Sequence, residues 1–234
     1  MSIINEDNIW FSPIRAFSDY AKIQKEVDQK TIQQASQYMK VMETRAVAIL
    51  CFALFEANKT PWYLQICQQD PPDALIMRQS PNSIGDDEIL GVEVTSYVRN
   101  KTGMPQETLL EQLKKTKMFA HYHKYSDHDV ILVDLGTRFQ PNVNEIADYM
   151  KEIGAPYQVW IIQQVEAFPD TLAEMTICNT QGAYSARINI GEAWHNMVEQ
   201  KVLGAFRKIR VGSVDKVRVE KGEPITRRPW EPPV

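Results

Sequence analysis

The order of patterned segments predicts an α/β fold, with a mixed central sheet flanked by helices. Three observations carry this. A helix-forming stretch free of Pro and Gly covers 19–58, and strand-like apolar runs then alternate with helical ones as far as Val165. DVILVDLG shows almost no polar alternation, as expected of a strand covered on both faces. The chain has 234 residues, 44% hydrophobic and 24% charged, a composition with room for a substantial core.

The stretch through Pro13 has no clear pattern. Within 19–58, Ile32, Ala35, Met39, Met42, Ala46, Ile49 and Ala53 recur at helical spacing, which predicts one amphipathic helix stopped by Pro61. Glu43 lies one turn from Met39 and Ala46, on or beside the inward face. It either pairs with Arg45 or a lysine, reaches the helix edge, or serves a site. TPWYLQICQQ reads as a strand, and PDALIM and ILGVEVTSY as two more. The turn joining the last two is rich in Pro, Asn, Gly and Asp, with Asp86, Asp87 and Glu88 in solvent. Met104-Pro105 opens a helix with Leu109, Leu110, Leu113, Met118 and Phe119 on one side. The strand 129–136, a helix over 142–153 stopped by Gly154, and the strand 157–165 follow. Beyond these, MTICN and ARINI read as short strands, 191–208 as a helix and VDKVRVE as a strand. The tail EPITRRPWEPPV, with four prolines, reads as extended or disordered. The expected division is a core over 1–165 with an N-terminal helical region, and an extension over 166–234 packed on it, Pro-rich from about 223.

MSIINEDNIW lacks a basic segment followed by an apolar one, so no signal peptide is expected. The longest apolar run, 46–55, is too short for a bilayer, so no membrane partner is expected. Cys51, Cys67 and Cys178 are scattered without CxxC spacing, which points to a reducing, cytoplasmic setting. Charge is unevenly distributed. Residues 1–200 hold 17 Lys+Arg against 26 Asp+Glu, a net of −9, whereas 201–228 hold 9 against 3, a net of +6. This basic section on an acidic body is either a solvated surface or a meeting place for phosphates, a protein partner or a second copy.

Two carboxylates interrupt apolar strands: Asp73 at the mouth of PDALIM and Glu93 inside ILGVEVTSY. Burying a charge in a strand costs several kcal/mol unless it is paired or bound to metal. Residues two apart share a strand face, which puts Glu93 with Thr95 and leaves Val92 and Val94 on the other side. A set of hard oxygen donors suits Mg²⁺ or Mn²⁺ rather than zinc. Such ions polarise phosphoryl oxygens and activate water, the chemistry of phosphodiester hydrolysis. The alternative is structural: Asp73 caps a turn, and Glu93 satisfies a buried Arg or Tyr.

Pro72-Asp73, followed after a hairpin by Glu93-Val94-Thr95, resembles the PD-(D/E)XK nuclease superfamily. The resemblance implies an αβββαβ restriction-endonuclease-like core over about 30–136, with Asp73 and Glu93 as metal ligands. It further implies Glu43 as an added acidic ligand on the first helix, and Gln106 or Gln112 as a glutamine beside the site. Thr95 stands where the family pattern has Lys, whose charge steadies the attacking water and the phosphate. Lys101, Lys114, Lys115 and Lys117 are the candidates to replace it. The expected function is a Mg²⁺- or Mn²⁺-dependent nuclease, or a nuclease-like protein on nucleic acid. Asp73, Glu93, Thr95 and Gln112 would be its catalytic residues. The alternative is an inactive member of the fold acting as an interaction or nucleic-acid-binding module.

A rival cluster, His121, His123, His128 and Asp129, has zinc-type donors but reads as a polar helix end and loop. GxGxxG, GxxxxGK[ST] and GxSxG are absent.

Overall fold

The computed structural model describes residues 9–27, 39–67, 72–78, 88–97, 107–135, 140–164, 172–202, 205–211 and 216–221. In chain order these form β1 (Ile9–Phe11), α1 (Pro13–Glu26), α2 (Met39–Asn58), β2 (Trp62–Ile66), β3 (Ala74–Arg78) and β4 (Glu88–Ser96). There follow α3 (Leu109–Lys114), α4 (Lys117–Ala120), β5 (Asp129–Leu135), α5 (Val143–Ile153) and β6 (Gln158–Gln164). The last elements are β7 (Leu172–Asn179), β8 (Gly182–Asn189), α6 (Ile190–Glu199), β9 (Ala205–Val211) and β10 (Lys216–Lys221). The fold is mixed α/β, as predicted. Two compact units arise, Met1–Gly91 with Glu192–Val234, and Val92–Gly191.

In the first unit the strand order is β10-β9-β1-β2-β3, with the opening residues of β4 beyond β3. Neighbours run antiparallel, with Phe11 opposite Leu64 and Leu64 opposite Ile76. Arg78 holds Glu88 across β3 and β4 at 2.7 Å. The predicted single helix over 19–58 is corrected at its N-terminal half. Ser12 caps a separate helix, its Oγ accepting from the Arg15 N–H at 3.2 Å, with Pro13 in the first turn. That helix stops where Val27 turns extended (φ −129°, ψ 133°). Ile32 and Ala35 of the predicted stripe lie outside the described residues.

α2 is buried almost all round from Val41 to Phe55, which is why its apolar stripe widens into the run 46–55. It ends before Pro61, with Lys59 left-handed (φ 54°) and donating its N–H to the Phe55 carbonyl. Phe17 of α1, Phe52 of α2 and Trp194 of α6 meet with ring centroids 5.9–6.2 Å apart. Such contacts contribute about 0.5–1.5 kcal/mol each beyond simple burial.

In the second unit the later residues of β4 lead into the order β5-β6-β7-β8. β5 and β6 are parallel, with Ile131 opposite Val159, and α5 supplies the crossover that a parallel pair requires. Gly154 closes α5 at φ 64°, as predicted. Ile131, Val133, Leu135, Val159 and Ile161 pack under Leu113, Phe119, Ile146 and Met150. The predicted helix start at Met104-Pro105 lies outside the described residues. The described helix begins at Leu109 instead, because Thr108 and Glu111 form a reciprocal capping box. The predicted helix over 191–208 is also corrected. α6 ends at Glu199, and 205–211 is β9, where β-branched and aromatic residues extend along β1. Among the described residues no helix is long and apolar enough to cross a membrane.

Candidate functional site

The first unit gathers three charged groups where α2 passes over β2 and β3. Lys40 sits in the first turn of α2, one turn before Glu43. Its Nζ lies 2.7 Å from Glu43 Oε2 and donates to Asp73 Oδ1 at 3.1 Å. Asp73 directly precedes β3, and its carbonyl accepts the Cys67 N–H at 2.9 Å, which ties it to the end of β2. Thr44 Oγ1 donates to the Lys40 carbonyl, holding the helix start closed. The carboxylates are 13% exposed and the lysine 31%, so the cluster is shielded without being sealed.

Burial pulls the Lys40 pKa down. The hydrogen bond and charge of Glu43, then the charge and hydrogen bond of Asp73, outweigh it and leave Lys40 above the usual lysine value. It is therefore an ammonium at neutral pH: it donates hydrogen bonds and neutralises charge, and cannot take up a proton. Burial pushes the neighbouring Cys67 thiol up to about 11, with Lys40 lowering and Asp73 raising it. The thiol stays protonated and offers no thiolate to a soft metal.

Glu43 and Asp73, two of the predicted ligands, are thus brought to one cation. Glu93 and Thr95 lie half-buried on β4 in the second unit, where the two-residue period puts them on the same strand face as Tyr97. Tyr97 packs with Leu109 and Leu113 of α3, and its hydroxyl donates to the Glu107 carbonyl at 2.9 Å. Gln112 is half-buried on the same short helix.

Of the predicted replacement lysines, Lys114 lies over the Tyr149 ring at 4.0 Å, and Lys115 pairs with Glu107 at 2.6 Å. Lys101, Gln106 and the side chain of Lys117 lie outside the described residues. Sequence reasoning offered a lysine as partner to Glu43 without naming Lys40. Its three-residue spacing from Glu43 was a legible signal for a helical pair. Its approach to Asp73, 33 residues away, was not.

The histidine cluster is turn chemistry. α4 ends at Ala120, and the His121 and His123 rings stand 6.4 Å apart and nearly perpendicular. Asp129 is occupied as an acceptor for the Ser126 N–H and hydroxyl. Among the described residues no three His, Cys, Asp or Glu side chains form a group that could hold a metal. Magnesium needs fewer, since it is commonly held by one or two carboxylates, keeping waters and taking phosphate oxygens. Two hard carboxylates converging on one positive charge, beside a protonated thiol, fit that ion better than zinc. No family model matches the chain, and no curated protein is similar to it.

Proposed function

We propose that the chain is a nuclease-like protein on a restriction-endonuclease-like core, hydrolysing phosphodiester bonds in nucleic acid with Mg²⁺ or Mn²⁺. The observation that carries this reading is the Lys40 ammonium held between Glu43 and Asp73 at the mouth of β3. Asp73 and Glu43 would hold the ion. When bound, the ion supplies a polarised phosphoryl oxygen and an acidified water.

Lys40 fills the role left open by Thr95. It is an ammonium within hydrogen-bond reach of the first motif carboxylate. Its raised pKa makes it a charge stabiliser for phosphate oxygens rather than a base. Glu43 and Asp73 keep Lys40 at the site until phosphate oxygens compete for the ammonium or a metal ion competes for the carboxylates.

One observation favours the second reading, an inactive interaction module. Lys40 already pairs with both carboxylates, so the triad can stand as a purely structural ion-pair cluster. Incubation of the purified chain with duplex DNA, single-stranded DNA and RNA at millimolar Mg²⁺ or Mn²⁺ separates the two. The nuclease reading expects cleavage that chelator, Asp73→Asn and Glu43→Gln each abolish. Absence of cleavage, with no Mn²⁺ uptake by calorimetry, leaves the module.

A further inference from the structure

The second unit ends on an open sheet edge. β8 is the last strand in its order and pairs with β7 alone among the described residues. The register runs unbroken from Asn179 opposite Gly182 to Leu172 opposite Asn189, so the edge carries no bulge. Tyr184, Ser185, Ala186 and Arg187 are all exposed, and successive residues face opposite sides, so neither face is covered there. Tyr184 stands 58% exposed. Edge strands are ordinarily blunted by Lys, Pro, a bulge or a covering segment. GAYSARIN has no Lys, Pro, Asp or Glu, and its one charge, Arg187, lies opposite Glu174 on β7. An edge of this kind is suited to receive another strand.

The hairpin turn decides which backbone groups face outward. Only Thr180 and Gln181 separate the closing pair, so Asn179 and Gly182 exchange hydrogen bonds. Bonded and non-bonded pairs alternate from there. Tyr184, Ala186 and Ile188 direct their N–H and C=O groups to β7, while Ala183, Ser185 and Arg187 turn theirs to the open side.

The side chains then select a second copy as the partner. An antiparallel copy related by a two-fold axis at Ser185 sets Ala183 opposite the partner's Arg187 and Ser185 opposite the partner's Ser185. All three outward residues of each copy are engaged, giving about six backbone hydrogen bonds. Tyr184 falls opposite the partner's Ala186, a large residue against a small one, on both sides of the axis. Ser185 is small at the axis itself, and its hydroxyl is already shared with Thr176 at 2.7 Å. The two Arg187 residues stand four positions apart, about 14 Å, beyond the screening length of about 8 Å. An axis at Ala186 would bring them to about 7 Å, and one at Arg187 would set them face to face. An axis at Tyr184 would leave Arg187 beyond the partner's strand.

We propose that β8 is a homodimer interface, at which two copies of the chain join edge to edge, antiparallel about Ser185. The interface uses no residue of the carboxylate cluster, so it stands or falls independently of the nuclease reading.

A strand pair of this length buries less than the roughly 1,200 Å² of a standard interface, so the dimer should be weak and build up between about 10 μM and 1 mM. Sedimentation velocity of the full chain across that range measures it. Ser185→Pro removes an outward N–H and no bond to β7, so it should abolish association while thermal unfolding shows the fold retained. Ser185→Lys and Ser185→Asp each place like charges opposite one another at the axis, and should weaken association about two- to fivefold. An equimolar mixture of these two variants should associate more tightly than either alone, by a margin that shrinks with salt. That rescue requires residue 185 to meet its own copy. Four results overturn the proposal. One is a wild-type chain that stays monomeric at about 1 mM. A second is a folded Ser185→Pro variant that associates like wild type. The third is tighter association of Ser185→Asp alone, which places residue 185 opposite the partner's Arg187 and moves the axis. The fourth is growth beyond a dimer that Ser185→Pro abolishes, since a closed two-fold pair leaves this edge occupied.

Discussion

Replacing Lys40 by Met keeps most of the length of the side chain and removes its charge. Glu43 and Asp73, each 13% exposed, then face one another without the cation that joins them. Removing one partner of a fully buried pair costs about 3–5 kcal/mol, whereas exposed pairs are worth about 0.2–1 kcal/mol. The lysine is about a third exposed, so the buried figure must be discounted for solvent screening. With two pairs lost, the cost falls at about 1–3 kcal/mol at pH 7. For a chain of this size that lowers the melting temperature by roughly 2–4 °C per kcal/mol. The pH dependence gives the sharper signature. A lysine whose folded pKa is raised stabilises fully below the unfolded value, about 10.5, and loses that contribution as pH rises through the folded value. The gap between wild type and Lys40→Met should therefore be constant from pH 7 to 9 and close at more alkaline pH. Urea unfolding across that range measures it. A variant as stable as wild type at pH 7, or a deficit that survives deprotonation of the lysine, would refute the argument that Lys40 is held by charge.

Other positions give independent checks. Thr108→Ala removes half of the capping box on α3 and should cost about 1 kcal/mol, read by thermal unfolding. Gly154→Val places a β-branched residue at φ 64° and should cost at least about 1–2 kcal/mol. No atom lies within 4 Å of the added Cβ, so Gly154→Asn, which tolerates this conformation, should recover much of the loss. Cys51, Cys67 and Cys178 are buried, and burial raises all three thiols, so a thiol reagent at pH 8 should label the folded chain slowly and all three sites in urea. In Lys40→Met the Cys67 thiol loses the charge that lowers it, so its labelling by a small reagent should slow further unless the structure opens.

The sequence was most legible where a single period or cap decided the outcome. β5 reads as buried on both faces and is so, and Gly154 ends α5 as a left-handed stop. It was least legible where tertiary pairing overrode local pattern. Trp194 and Val198 continue a helical rhythm toward Phe206, yet Phe206 pairs with Trp10 across β1 and β9, a partner nearly 200 residues away. The break at Val27 carries neither Pro nor Gly to announce it. At the site, the types and positions of Asp73 and Glu43 were readable because a carboxylate among apolar residues needs a reason. The approach of Lys40 to Asp73 was not, since a lysine in the first turn of a helix ordinarily points to water and Asp73 is 33 residues away.

The separation of Lys40 from Asp73 has a consequence for how the site comes into being. Helix α2 could form alone and would then hold Lys40 beside Glu43, but Asp73 arrives only when β3 docks beneath it. A compact, loosely packed state that kept its helices would therefore show native far-ultraviolet dichroism and yet lack the three-charge cluster. Ion binding at this site would then report tertiary order rather than helix content. If the site takes Mn²⁺ as proposed, its uptake during refolding should appear with the near-ultraviolet signal, after the helices have formed.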